Sequence, residues 1–261
     1  MDVTHKFSQR APMKELSHIA LSCLLVIGSS VVNAQSPELD TVLENIIESY
    51  GGAENLRKLD SQVQEWSIFA KMGNRHGIDL RTVRAPDQLK VELTYATKKE
   101  MRIINGDEGL VAYGNAPAQV AVHPQLDAMR LQLMRLYSPL VLRDKLDSLS
   151  LTVDGEFCAV TLFENGVRVD YVVTMDNWRI EKVVGSLALN GGEMRFLTEY
   201  SDFTFYQGVL IHQRENKFAG DVNTAVLKLR RIMLDAEVKD TDFLPSDEQS
   251  TQPDWEQKEV T

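Results

Sequence analysis

Cysteine is almost missing from this chain: Cys23 and Cys158 are the two in 261 residues. Cys23 lies in an N-terminal stretch that reads as a removable leader, which leaves Cys158 alone and no internal disulfide. The fold must then stand on its hydrophobic core, which the remaining length can supply. Cys158 sits in Glu156-Phe-Cys-Ala-Val-Thr-Leu-Phe163, the setting of a small buried hydrophobe rather than a nucleophile. Histidine is also scarce. Beyond the leader only His76, His123 and His212 remain, none with a His or Cys partner at metal-ligand spacing, so no metal is expected. No Gly-x-Ser-x-Gly elbow, P-loop or dinucleotide fingerprint occurs, so neither a catalytic residue nor a cofactor is expected. Asn190-Gly-Gly-Glu-Met has two glycines but no helical pattern after it, and reads as a hairpin turn.

Long apolar runs are missing too. The longest, Ile19 to Val32, falls short of the ~20 residues a spanning helix needs, so no stable membrane insertion is expected. It has instead the flanks of a secretory signal. Lys6, Arg10 and Lys14 precede it, and Val32-Asn33-Ala34 follows with small or modest residues, which places cleavage before Gln35 and the mature protein outside the cytoplasm. The leader carries three basic and two acidic side chains. Of 28 Lys and Arg and 38 Asp and Glu the mature chain therefore keeps 25 and 36, a net charge of about −11. Such a surface repels nucleic acid and anionic membrane.

The mature chain opens on a helical pattern. Ser36 fits an N-cap, Pro37 the first helical position, and Leu39, Val42, Leu43, Ile46, Ile47 and Tyr50 share one face. Gly51-Gly52 stops it, and Ala53–Leu59 gives a short second turn. From Ser61 the period changes to two. Ser61–Met72 places Trp66, Ile68, Ala70 and Met72 on one face, and in Leu89–Tyr95 the alternation of apolar and polar is complete. Further strands are expected at 77–84, 100–105 and 108–113, with Asn105-Gly106 as a two-residue hairpin loop. A helical insert follows from Pro124, with Leu126, Met129, Leu133, Leu136 and Leu140 at helical steps and a break at Ser138-Pro139. Strands resume at 150–153, 156–163, 167–175, 179–189, 193–205, 209–218 and 223–234. Residues 245–261 read as a disordered acidic tail.

These elements predict one α+β domain over 35–244: a curved antiparallel sheet forming an unclosed β-barrel of about 11 strands, an N-terminal helix and a helical lid insert. Asp170, Asp176, Glu193, Glu199 and Asp202 are numerous enough to pair across strands by chance, and nothing in their spacing makes a glycosidase pair. The apolar residues expected to line a cavity and its lid are Trp66, Ile68, Val91, Leu93, Met129, Leu133, Leu136, Tyr171, Met194 and Phe196. Taken one residue at a time, the same pattern fits a filled core better. Only the architecture, a curved sheet under a short lid, favours a pocket for an apolar ligand.

Four stretches resemble one family: Ile46-Ile-Glu-Ser-Tyr-Gly-Gly-Ala-Glu-Asn-Leu-Arg-Lys-Leu-Asp-Ser61, Arg84-Ala-Pro-Asp-Gln-Leu-Lys-Val-Glu92, Ile104-Asn-Gly-Asp-Glu-Gly109, and Tyr200-Ser-Asp-Phe203 with Gly208-Val-Leu-Ile211. Together, in this order and over nearly the whole mature chain, they resemble the periplasmic LolA/LolB-like lipoprotein carriers and the related outer-membrane lipoprotein-sorting proteins. The chain departs at His212, where the family often has proline. The resemblance implies an unclosed barrel whose helices cover a cavity for lipid acyl chains, and supplies no catalytic motif. The expected function is therefore a periplasmic carrier or binding protein, not an enzyme, for a lipid, lipidated protein or other hydrophobic ligand. The alternative is an envelope interaction module with a filled cavity that grips a partner protein.

Overall fold

The computed structural model describes residues 38–189 and 191–245. The leader, Ser36, Pro37 and the tail from residue 246 lie outside the described residues. Two helices open the described chain, α1 (Leu39–Ser49) and α2 (Gly52–Leu56). Strands β1 (Ser61–Ala70), β2 (Arg75–Arg84), β3 (Gln88–Tyr95), β4 (Lys99–Asn105), β5 (Glu108–Tyr113) and β6 (Gln119–Val120) follow. The insert forms α3 (Gln125–Met134) and α4 (Pro139–Asp144). The chain then returns through β7 (Leu149–Asp154), β8 (Phe157–Glu164), β9 (Val167–Thr174), β10 (Arg179–Leu189), β11 (Gly192–Tyr206), β12 (Val209–Ala219) and β13 (Val222–Leu234).

Thirteen strands, more than the about 11 expected, join one antiparallel sheet in the order β6-β5-β4-β3-β2-β1-β13-β12-β11-β10-β9-β8-β7. The first and last long strands meet at its centre, Gln62 opposite Leu234 and Ile68 opposite Leu227. The edges are β6 and β7, with no ladder between them among the described residues, so the barrel is unclosed. This topology explains the insert. Strands β1–β6 step outward to one edge and β7 starts at the other, so the chain between them must cross the sheet, and the apolar residues of α3 put it on the concave face. The crossing is the geometric consequence of the strand order.

Local chemistry explains most boundaries. Val42, Leu43, Ile46 and Ile47 form the buried stripe of α1. The helix begins later than Ser36-Pro37 implied, with Glu38 at the N-cap position. It ends at Gly51, whose φ is 107° and where a Cβ would stand 1.9 Å from the Gly208 carbonyl oxygen. Only glycine meets both conditions. Ser138 caps α4 through its Oγ, which accepts from the Val141 N–H at 3.4 Å, and Pro139 takes the first helical position. Two expectations need correction. The β4–β5 loop is Gly106-Asp107, because Asn105 still pairs with Glu108 and Gly106 carries the positive φ. β1 ends at Ala70. Met72 falls in the following 3-10 turn and is 82% exposed, rather than sharing the face of Trp66. The short edge strand β6 has too few residues to show a period.

The concave side holds two hydrophobic clusters. In the first, α1 packs on β8–β12 through Val160, Val169, Tyr171, Val183 and Leu210. In the second, Met129 and Leu133 of α3 pack on Trp66, Ile68, Val91, Leu93 and Leu227. Helix α3 belongs to both, since its Leu131 and Met134 join the first. Gly185 makes room for it: a Cβ there would lie 2.2 Å from Leu131 Cδ1.

Candidate ligand-binding site

Where the clusters meet, under the link between α3 and α4, lies a cavity of about 80 Å³. Its walls come from Tyr50 at the end of α1, Gln62, Gln64 and Trp66 on β1, Arg135 to Pro139 of the insert, Tyr171, Tyr200, Leu210 to His212, and Leu229 and Ile232 on β13. One side is apolar and the other is not.

The polar side starts on β1. Alternation places Gln62 and Gln64 on the same face as Trp66, and all three are buried. They satisfy one another in a relay: Trp66 Nε1 donates to Gln64 Oε1 at 2.8 Å, Gln64 Nε2 to Gln62 Oε1 at 2.8 Å, and Gln62 Nε2 to the Leu59 carbonyl at 3.2 Å. Beside them Arg81 is buried with two carboxylates. Its Nη1 and Nη2 grip Glu215 at 2.8 and 2.9 Å, and Nη2 also reaches Asp79 Oδ2 at 2.9 Å. Arg81 also lies over the Trp66 ring, 5.0 Å from its centroid. Glu215 further contacts Lys217 at 3.2 Å and His212 at 3.3 Å. Burial works to raise the Glu215 carboxyl, but Arg81 and then Lys217 overcome it and hold it well below the usual carboxylate range. His212 stacks between Tyr200 and Trp66, at centroid distances of 4.1 and 5.5 Å.

Two tyrosines tie the insert to the sheet. Tyr171 Oη donates to the Met134 carbonyl at 2.7 Å, and Tyr200 Oη to the Arg135 carbonyl at 3.1 Å. Both carbonyls lie at the end of α3, where the Met134 carbonyl also accepts from the Tyr137 N–H at 3.2 Å. Burial pushes both phenols well above their ordinary pKa, so they stay protonated donors.

Of the residues expected at the site, Trp66, Leu136 and Tyr171 line the cavity. Ile68, Val91, Leu93, Met129 and Leu133 surround Trp66 in the second cluster. Phe196 packs at the margin of the first cluster. Met194 sits nearer the β10–β11 hairpin tip, 41% exposed, and does not line the cavity. The sequence reading missed Gln62, Gln64, Arg81, Arg135, Tyr200 and Glu215. A signal existed for the first three, because period-two alternation puts them inward, but their polarity argued for the wet face. The carboxylates considered for catalysis lie elsewhere: Asp170 bonds Thr161 and Arg168, Glu199 approaches Lys182, and Asp176, Glu193 and Asp202 are exposed. Among the described residues no His, Cys, Asp and Glu group is arranged to hold a metal ion. Cys158 is buried and free, its thiol pushed up by burial. No helix among them is long and apolar enough to cross a membrane.

No protein-family model matches the sequence, and no curated protein matches it either. Solved structures do. A domain named for outer membrane lipoprotein sorting, from Vibrio parahaemolyticus, superposes with a TM-score of 0.51 at 7% identity, over 77% of this chain and 94% of its own. A LolA superfamily protein from Nitrosomonas europaea superposes with a TM-score of 0.51 at 15% identity, over 78% of this chain and 97% of its own. This chain therefore shares the fold of both neighbours, matched over nearly their full length.

Proposed function

We propose that this chain is an exported carrier or binding protein for a hydrophobic ligand, a lipid, a lipoprotein acyl chain or a similar molecule, held on the concave face beneath α3 and α4. The observation that carries this reading is the cavity at the seam of a divided core, roofed by a segment that two tyrosine hydrogen bonds tie to the sheet. As it stands, about 80 Å³ is far below the ~300–1,000 Å³ of small-molecule pockets, so a tail requires the insert to lift. The energetics permit this. A dozen-carbon tail gains roughly 9 kcal/mol at ~0.8 kcal/mol per methylene, before association costs. Lifting α3 forfeits two hydrogen bonds at about 1 kcal/mol each. The apolar surface that Met129 and Leu133 leave behind is covered again by the tail itself. In this reading Trp66, Ile68, Val91, Leu93, Leu136, Tyr171 and Phe196 form the floor and walls, Met129 and Leu133 the lid, and Met194 a contact at the outer margin. No catalytic residue is proposed.

Protein purified gently from the periplasm is expected to show co-purifying lipid by native mass spectrometry, and stripped protein to take up a fluorescent fatty acid. A clean apo protein that takes up none would sink the carrier reading. The intact mass of the exported protein is expected to begin at Gln35. The small volume of the cavity favours a second reading, an envelope interaction module. It predicts no uptake and instead one protein recovered in stoichiometric amount from envelope extract.

A further inference from the structure

Arg135 is the one permanently charged residue that lines the cavity, and the buried Arg81 cluster lies behind its polar side. Asp79 is engaged by Arg81, and Glu215 by Arg81, Lys217 and His212. Arg135 is a third permanent cation in the same neighbourhood, close enough to feel both Glu215 and Arg81. No ion pair to Arg135 occurs among the described residues. Its Nη2 donates to the Phe196 carbonyl at 3.2 Å, while its Nε is buried with no hydrogen-bond partner. The residue is half-buried, and its Nε has given up water without gaining a counter-charge, which an arriving anion would supply. Burial accordingly lowers its pKa.

Arg135 lines the cavity with Gln64 and His212 on the polar side and Leu136, Leu229 and Ile232 on the apolar side. The volume, about 80 Å³, is several times the ~10–15 Å³ that a single water needs. That is room for a carboxylate or phosphate group, and too little for a tail.

We propose that this cavity takes the anionic head group of a single-chain amphiphile, with Arg135 as its counter-charge and the tail laid along the second hydrophobic cluster under α3. The assignment rests on the carrier reading and narrows it to a ligand class. A guanidinium supplies paired donors suited to carboxylate and phosphate alike. The lid then contributes chemistry as well as cover, because Arg135 is the residue that ends α3, at the joint of the insert.

The test holds the tail constant and varies the head. Dodecanoate, dodecyl phosphate, 1-dodecanol and dodecyltrimethylammonium displace a fluorescent apolar probe from the stripped protein near neutral pH, below their micellar concentrations. At least one anion is expected to bind about tenfold or more tighter than dodecanol, the cation more weakly than dodecanol, as for a charge-assisted hydrogen bond in a buried site. The tighter of the two anions names the head group. In Arg135→Gln the anion advantage is expected to shrink to about twofold while dodecanol affinity holds, and Arg135→Lys to fall between the two, since it keeps the charge and loses the paired donors. Anions binding no better than dodecanol in the native protein overturn the inference, and this comparison stands even if Arg135→Gln fails to fold. An advantage that survives in a folded Arg135→Gln protein also overturns it. Those outcomes leave the carrier reading intact, whereas failure of all four amphiphiles to displace the probe defeats both.

Discussion

Helices α1 and α3 lie on the same concave sheet and are held there by different means. Every inward residue of α1 is buried against one cluster, its end is sealed by Gly51 against Gly208, and Ser49 Oγ donates to the Trp178 carbonyl at 2.8 Å. Helix α3 divides its apolar residues between two clusters, with Leu131 and Met134 facing one and Met129 and Leu133 the other. Its end hangs on two tyrosine hydroxyls beside a polar cavity. A helix committed to one core is a structural member. A helix astride a seam can part from one side while the other stays packed. The comparison locates mobility by the distribution of contacts, without assuming that the longer or shorter helix moves.

The largest expected effect comes from breaking the seam that separates the clusters. Glu215→Gln leaves Arg81 and Lys217 short of a buried carboxylate and is expected to cost about 3–5 kcal/mol in urea unfolding. The pH dependence has a defined sign. The folded carboxyl titrates below its unfolded value of 4.5, so its stabilisation is complete above that value and lost as pH falls through the lower folded pKa. The native protein should therefore lose stability on acidification below about pH 4.5 more steeply than Glu215→Gln does. Parallel acid curves for the two would refute this account of the seam.

The helices themselves give the next contrast. Leu43→Ala opens a cavity in the cluster under α1 and is expected to cost about 2–5 kcal/mol with ligand uptake otherwise unchanged in the folded protein. Leu133→Ala removes a lid contact. It should cost less, because Leu133 packs on the smaller cluster while Leu131 and Met134 keep α3 on the other, and it should speed uptake of a fluorescent fatty acid in stopped flow. Equal costs and equal uptake rates would erase the distinction between the helices. The smallest effect is Tyr171→Phe, which deletes one hydroxyl bond to the Met134 carbonyl, about 1 kcal/mol, and should raise the uptake rate severalfold with little change in the melting midpoint. A lower uptake rate would show that the hydroxyl does not hold the lid shut.

Much of the scaffold was legible in the order of residues. Helical spacing marked α1, period-two runs marked twelve of the strands, and the Ser138-Pro139 break marked the joint of the insert. These are local signals, carried within a few residues of each element. Strand β6 escaped because two residues carry no period. The site was legible only by halves. Trp66, Leu136 and Tyr171 announced themselves as apolar residues on inward faces. Gln64 and Arg81 occupy inward positions of the same kind, yet polarity alone sends such residues to the surface. What keeps them inside is Trp66 Nε1 donating to Gln64 and two carboxylates on β2 and β12 gripping Arg81.

By itself, then, the sequence determined the alternation, the turns, the helical insert and the near-absence of cysteine that makes the core the main support. Those properties depend on neighbours a few bonds away. Tertiary structure alone decided that β13 closes on β1, that the insert must cross the concave face from one sheet edge to the other, and that three cations gather around two carboxylates at the seam. Glu215 and Arg81 are 134 positions apart, and no local period couples them. Their charges reach one another only after folding has removed the water between them.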